Sequence, residues 1–377
     1  MKPLPFNTFY FAFYAFIFII GSIISHLLSY KFPENNHWVK WINNITELHE
    51  LVMKCMKDAK SPYGFQYYKL HTENERKAEY KRILNVTYYY RSWPPKRWSH
   101  YRGPWIEDAW ISYFCCKEPI STFGPFIPLF ITWFNIFKRD KPNYQTHLQN
   151  ILKLLKKDFI YITVSSNDLG IEGLYKGHST PLPNNLFVIS ASGKGHIPCL
   201  MHLEDIYPVS FLPQKYSIAF AGKLTRWQRK RIVNESSICL GNIFYKNRTS
   251  DWLLRYRQSA LIMSPRGYAR GCFRTAEILQ LGMVPVMIFD DYPWVPYMNS
   301  SFPWKDAGFI YLRKEIPQMA EMVKSISQKR VKYMRSIILK YRNSHFTLNA
   351  TLNQIAMFMK YGYAMSDLRC TQFYKQS

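Results

Sequence analysis

Between Ser259 and Asp291 the chain reads as a strand, a glycine-punctuated turn, a helix and a second strand, and few folds accommodate that order. Ser259-Ala-Leu-Ile-Met263 is a short run of the fully buried type, and Ser264-Pro265-Arg266-Gly267 is the turn leaving its C-terminal end. A helix beginning near Cys272 is closed by Gly282, and Val284 to Phe289 is the next strand, capped by Asp290-Asp291. The alternation extends in both directions. Strands are expected at 159–164, 186–190, 216–220, 260–263, 284–289 and 308–312, with helices from about 226, over 251–258 and 272–281, and a long basic helix over roughly 316–342. That spacing argues for parallel sheets with helices on both faces, and two such halves make a two-domain α/β protein with a cleft between them.

In open sheets of this kind ligands sit beyond the C-terminal ends of the strands. Four loops leave such ends: Ser165 to Gly170, Ala191 to Pro198, Ala221 to Arg226, and Ser264 to Gly267. The last is the most specific. A helix starting just past the turn offers unpaired N–H groups and the positive end of its dipole, and Arg266, Arg270 and Arg274 add charge. Guanidinium forks match two phosphate oxygens at once, so the assembly suits a diphosphate. Arg274 and Glu277 lie three apart on one helix face. They are either an i, i+3 salt bridge or a cleft-facing pair in which Arg274 holds phosphate and Glu277 accepts ribose hydroxyls.

Ser264-Pro-Arg-Gly-Tyr268, followed by Phe273-Arg-x-x-Glu-x-Leu-x-x-Gly282-x-x-Pro-Val286 and Asp290-Asp-Tyr292, resembles the donor-binding signature of the exostosin family of glycosyltransferases. Phe220-Ala-Gly-Lys-Leu-Thr-Arg226 and Gly193-Lys-Gly-His-Ile-Pro198 are similar to that family's segments opening the second domain and closing the first. Asn167-Asp168-Leu-Gly170 is similar to a strand-end His-Asp-x-Gly, with Asn167 in the histidine's place. A second departure is Ala269-Arg270-Gly271-Cys272, where small residues of the Pro, Thr or Ser type are commoner.

The resemblance implies a GT-B fold of two Rossmann-like domains, with the donor nucleotide in the C-terminal one and the acceptor mostly in the N-terminal one. It implies transfer from a nucleotide sugar, UDP-linked by expectation, to a glycan or glycoprotein acceptor, with inversion and no obligatory metal or other cofactor. Carried over by position, Arg266 and Arg274 contact the diphosphate within the turn of Ser264 and Gly267, Arg226 is a further phosphate contact, and Glu277 binds the ribose. Inversion needs a general base near the acceptor hydroxyl. Asp168 is the first choice, its alternative being an Asx turn or helix cap; Glu172, His178, His196 and Glu204 are lesser ones. The His196, His202, Glu204 and Asp205 group has no known metal-site spacing, and Asp290-Asp291 reads as a solvated pair.

The boundaries expected are a cytosolic tail 1–8, a transmembrane signal-anchor 9–28, a stem 29–60, an N-terminal domain 61–210, a nucleotide-sugar domain 211–345, and a segment 346–377 packing back on the N-terminal domain. The anchor rests on Pro3 to Tyr30, which carries no Lys, Arg, Asp or Glu. It places the body in the lumen, by expectation of the Golgi with the endoplasmic reticulum as the alternative. Six sequons, at Asn44, Asn85, Asn234, Asn247, Asn299 and Asn349, agree with a lumenal body. Seven cysteines make no C-x-x-C pair, and their odd count leaves a thiol over.

The formal charge of +25 would suit nucleic acid, but a lumenal body argues against that partner. A solvated basic face near anionic headgroups, or an acidic glycan acceptor, are the accounts that remain. A homo- or hetero-oligomer is compatible with everything above. The rival classes are a non-catalytic glycan-binding relative and a lumenal sulfotransferase. The latter should carry its phosphate loop after the first strand of its domain, not near residue 265.

Overall fold

The computed structural model describes residues 44–58, 68–91, 104–173, 180–202, 204–224, 226–246, 250–298 and 302–361. The anchor expected over 9–28, the sequons at Asn247 and Asn299, and His178 lie outside them. Among the described residues no helix is long and apolar enough to cross a membrane.

Two parallel sheets form the molecule. The first carries β1 (Ile127–Pro128), β2 (Tyr161–Ser165), β3 (Leu186–Ser190) and β4 (Ile197–Pro198), side by side in chain order. Every residue of these strands is buried, as expected of parallel strands covered on both faces. The covering helices are α1 (Ile45–Asp58), α2 (Glu73–Val86), α3 (Ile106–Phe114), α4 (Trp133–Arg139) and α5 (Tyr144–Lys153). Leu48, Val52 and Met53 of α1, within the segment read as a stem, belong to this core.

The second sheet has the order β6-β5-β7-β8-β9 and is also wholly parallel. Its strands are β5 (Tyr216–Phe220), β6 (Phe244–Lys246), β7 (Ser259–Pro265), β8 (Val284–Phe289) and β9 (Phe309–Leu312). Its helices are α6 (Trp227–Leu240), α7 (Trp252–Arg257), α8 (Phe273–Gln280), α9 (Ile316–Ser325) and α10 (Gln328–Tyr341). The single long helix expected over 316–342 is therefore two. Ile326 is extended, and the Ser327 hydroxyl accepts the Arg330 N–H at 3.2 Å, capping α10 as a new helix.

This order reverses direction between β5 and β7: the chain leaves β5 toward β6 on one side and β7 toward β8 on the other. Such a reversal opens a crevice at the strand ends, where doubly wound sheets bind their ligands. A last helix, α11 (Leu348–Tyr361), returns to the first lobe and buries Leu352, Ile355, Phe358 and Met359 in its core.

Candidate functional site

The crevice is bounded by the end of β5, the turn after β7 and the start of α8. On α8 the Arg274 guanidinium is half-buried beside the Phe220 ring and donates from Nη1 to the Tyr256 hydroxyl on α7. That hydroxyl also accepts the Ala221 N–H at 3.4 Å, so α7 ties Arg274 to the end of β5. A Cβ on Gly222 would lie 3.1 Å from Arg274 Nη2, so the backbone passes close against the guanidinium. Glu277 lies on the same face of α8, and burial raises its carboxyl while Arg274 pulls it back. Among the described residues the two make no ion pair within 4.0 Å. The i, i+3 salt bridge is not formed, and the Arg274 guanidinium bonds Tyr256 instead.

Arg226 is the residue before α6, and its guanidinium stacks 3.6 Å from the centre of the exposed Tyr268 ring. Across from it, on the first lobe, Asp168 follows β2. Burial pushes the Asp168 carboxyl up, and Lys138 and Arg226 draw it down. The two lobes thus bring Asp168 and Arg226 within electrostatic reach of each other. The Asx turn at this place belongs to its neighbour: Asn167 Oδ1 accepts the Leu169 N–H at 3.3 Å.

The turn after β7 is internally engaged. The Ser264 hydroxyl is buried and pairs with Thr275 Oγ1 at 2.9 Å. The Arg266 N–H donates to Ile288 O at 3.1 Å and the Gly267 N–H to Ala269 O at 3.1 Å. The Arg266 side chain reaches Asp290 at 2.7 Å and Asp291 at 3.2 Å. Asp290-Asp291, expected to be solvated, instead match the charge of two arginines, because Arg270 Nη2 also meets Asp291 at 2.5 Å.

Ala269 to Cys272, the stretch that departs from the exostosin pattern, is where the lobes meet. Arg270 is 7% exposed, stacks 3.8 Å from the Tyr292 ring centre, and donates to Gly193 O of the first lobe at 3.0 Å. The Gly271 N–H donates to Ser192 O at 3.0 Å, and a Cβ there would lie 1.6 Å from Ala191 O. Gly193 has φ +110, and its missing Cβ would strike Arg270 Cβ at 2.5 Å. Trp294 Nε1 adds a bond to Ser190 O at 3.1 Å, and Phe273 packs near Trp105 at 6.0 Å between ring centres.

Sequence reasoning gave no site role to Tyr256, Tyr268 or Arg229. Arg229 binds Arg266 O at 3.2 Å and Lys223 O at 3.3 Å, joining two of the loops. It also did not find Glu107, 1% exposed at the start of α3, which accepts the Ser166 N–H at 2.7 Å and hydroxyl at 2.5 Å. Burial pushes Glu107 up to about 7 and its neighbour Asp108 to about 6. Of the lesser base candidates, Glu172 stays in the Asp168 loop, its Oε2 2.4 Å from where a Cβ on Gly170 would stand, whereas His196, like His202, is tied into the core. Burial lowers His196 to about 3 and its Nδ1 accepts the Val188 N–H at 3.0 Å. His202 is likewise buried, lowered to about 3, and paired with Thr351 Oγ1 at 2.7 Å. Glu204 is exposed, while Glu172 is half-buried and raised by burial. Among the described residues no three His, Cys, Asp or Glu side chains gather to hold a metal ion.

Known proteins bear on this geometry. No family model matches the chain. An exostosin-1 homolog of Caenorhabditis elegans is 32% identical over 77 residues, 20% of this chain and 20% of that protein. The resemblance to the exostosin family is borne out. A probable glycosyltransferase of Arabidopsis thaliana is 29% identical over 114 residues, 30% of this exostosin-like chain and 21% of that protein. The match thus spans about a fifth of the length of either relative. Among solved structures, TarM aligns at a TM-score of 0.36 with 9% identity, covering 57% of this chain and 58% of that one. Sucrose-phosphate synthase from Thermosynechococcus elongatus aligns at 0.35 with 13% identity, covering 59% and 62%. Structural likenesses this low bear on neither fold nor function.

Proposed function

We propose that this exostosin-like chain is an inverting glycosyltransferase of the GT-B kind, moving a sugar from a nucleotide diphosphate donor, UDP-linked, to a glycan acceptor. The observation that carries the reading is the placement of Arg274 and Glu277, side by side at the β5/β7 switch point, with Arg226 opposite Asp168. The departing diphosphate gains charge as the glycosidic bond breaks. Arg274 and Arg226 are fixed in place before that charge develops, and preorganised cations stabilise it without reorganisation. Tyr256 and the Tyr268 ring hold the two guanidinium groups. Glu277 accepts the ribose hydroxyls. Arg266, matched to its aspartates, shapes the turn on which the diphosphate rests.

Asp168 takes the acceptor's hydroxyl proton as the oxygen attacks the anomeric carbon from the face opposite the leaving group. Burial raises its pKa toward the working range of a general base. The same reading puts a membrane anchor at residues 9–28 and the body in the Golgi lumen, with the basic surface toward headgroups or an acidic acceptor. Hydrolysis of UDP- and GDP-sugars by the full-length chain, alongside nucleotide binding, tests it. Slow release of sugar from one donor is expected. Folded protein that neither binds a nucleotide nor turns one over overturns the transferase and leaves the non-catalytic glycan-binding reading.

A further inference from the structure

Two thiols lie side by side in the first lobe, at the end of α3 opposite to the one that carries Glu107. Helix α3 ends at Phe114, and the chain turns over Phe114 to Lys117, whose N–H donates to Phe114 O at 3.3 Å. Cys115 has φ −63 and ψ 125, and Cys116 has φ 61. The extended second position followed by a positive φ is the pattern of a type II turn, whose third position ordinarily takes glycine. Here that position holds an exposed cysteine. Its Sγ lies 3.4 Å from Cys115 Sγ, and Arg91 Nη1 donates to Cys115 Sγ at 3.3 Å.

We propose that Cys115 and Cys116 are a vicinal dithiol that closes reversibly into a disulfide ring by exchange with an external disulfide. This goes beyond the transfer reaction and does not rest on it. The Cα atoms of neighbouring residues across a trans peptide are about 3.8 Å apart, below the usual disulfide range of about 4.4–6.8 Å. Adjacent cysteines therefore meet only in a special turn, and the closed bond is strained and easily reduced, the mark of a labile pair. The turn at 114–117 is of that kind, and it places a cation on the more buried sulfur.

The exchange balances in two steps. The exposed Cys116 thiolate attacks one sulfur of the external disulfide and expels the other half as a thiolate. Cys115 then loses its proton and attacks Cys116 Sγ, expelling the second half. Two protein thiols are oxidised and one external disulfide is reduced to two thiols. Burial pushes Cys115 up to about 11 while Arg91 opposes this, which fits Cys115 as the second attacker, beside a cation that steadies its thiolate.

The test uses the full-length chain equilibrated in a series of glutathione to glutathione disulfide ratios, quenched with N-ethylmaleimide and digested with trypsin. Residues 103–117 leave as one peptide holding Cys115 and Cys116 and no other cysteine. At oxidising ratios this peptide is expected unalkylated and two hydrogens lighter than its reduced form, taking up two maleimides after reduction. Double alkylation at every ratio, glutathione retained at the end point, or a cross-link to another cysteine-bearing peptide would overturn the proposal. Cys116→Gly suits the turn's positive φ and is expected to fold with an unchanged circular dichroism spectrum. Its Cys115 should be recovered alkylated or glutathionylated; a Cys115 still blocked against both would also count against the pair.

Discussion

Arg274 shows how a residue can be legible in type and still undetermined in role. Its spacing from Glu277 is satisfied equally by a salt bridge and by two parallel cleft-facing charges. Tyr256, on a helix about twenty residues earlier, takes the guanidinium hydrogen bond, and no salt bridge to Glu277 forms. Nothing in sequence marks Tyr256, because it is wholly buried on a short helix and reads as core. If the charge-assisted contact to phosphate is worth about 1.5–3 kcal/mol, Arg274→Ala weakens nucleotide affinity by roughly 10- to 100-fold by calorimetry. Unchanged affinity would remove α8 from the donor site. Asp168→Asn should leave nucleotide affinity in place and lower turnover by about 10²–10⁴, with the loss growing at higher pH where the wild-type carboxylate is ionised. Glu107 offers a titration test independent of activity. Its folded value of about 7 lies above its ordinary 4.5, so it favours folding below pH 4.5 and loses that advantage as pH rises to 7. Glu107→Gln does not titrate. Its unfolding free energy relative to wild type should rise by roughly 3 kcal/mol between pH 4.5 and 8 in denaturant titrations. A flat difference across that window would show that Glu107 ionises normally.

At the scale of elements, the unit from β7 through α8 to β8 was readable because each piece carries its own signal. Buried parallel strands are unbroken apolar runs, and Gly282, at φ +74, ends the helix. The region 61–143 resisted because, among its described residues, the only strand is two residues long and the helices are dense in aromatics. The break at Ile326 was missed because a serine cap inside a basic helical pattern looks like a surface position until the extended Ile326 before it is seen. The loop Ala269 to Cys272 was legible only as a departure. Its partners, Ser192 and Gly193, are about eighty residues away in sequence, and no local pattern announces them. Its glycine is the sensitive point. In Gly271→Ala the new methyl meets the Ala191 carbonyl, which is backbone and cannot swing aside. A loss of about 1–3 kcal/mol in thermal unfolding is expected, together with faster proteolysis between the lobes. An unaltered melting curve would mean that the seam is looser than its hydrogen bonds indicate.

For the whole molecule, the two-lobed α/β plan followed from alternation alone, whereas one membership relation did not. Helix α1 looked like a stem because an amphipathic helix beside an apolar segment suits that place, yet it lies in the core of the first lobe. Helix α11 returns to the same core, and Phe358 packs 5.9 Å from Phe126 between ring centres. Phe358→Ala should therefore destabilise the first lobe, not the lobe that precedes it in sequence, by about 3–5 kcal/mol. Hydrogen exchange should show protection lost around Phe126 and Phe187 with the β7 and β8 amides unchanged; loss confined to residues 284–346 would contradict this. The return of α11 also sets an order of events during synthesis. β4 ends at Pro198 and α11 begins at Leu348, so 150 residues must still emerge after the first sheet is complete. At about 5–20 residues per second that is a wait on the order of ten to thirty seconds. Throughout it the earliest lobe to leave the ribosome stands with an apolar face uncovered, and the lobe made second can close first.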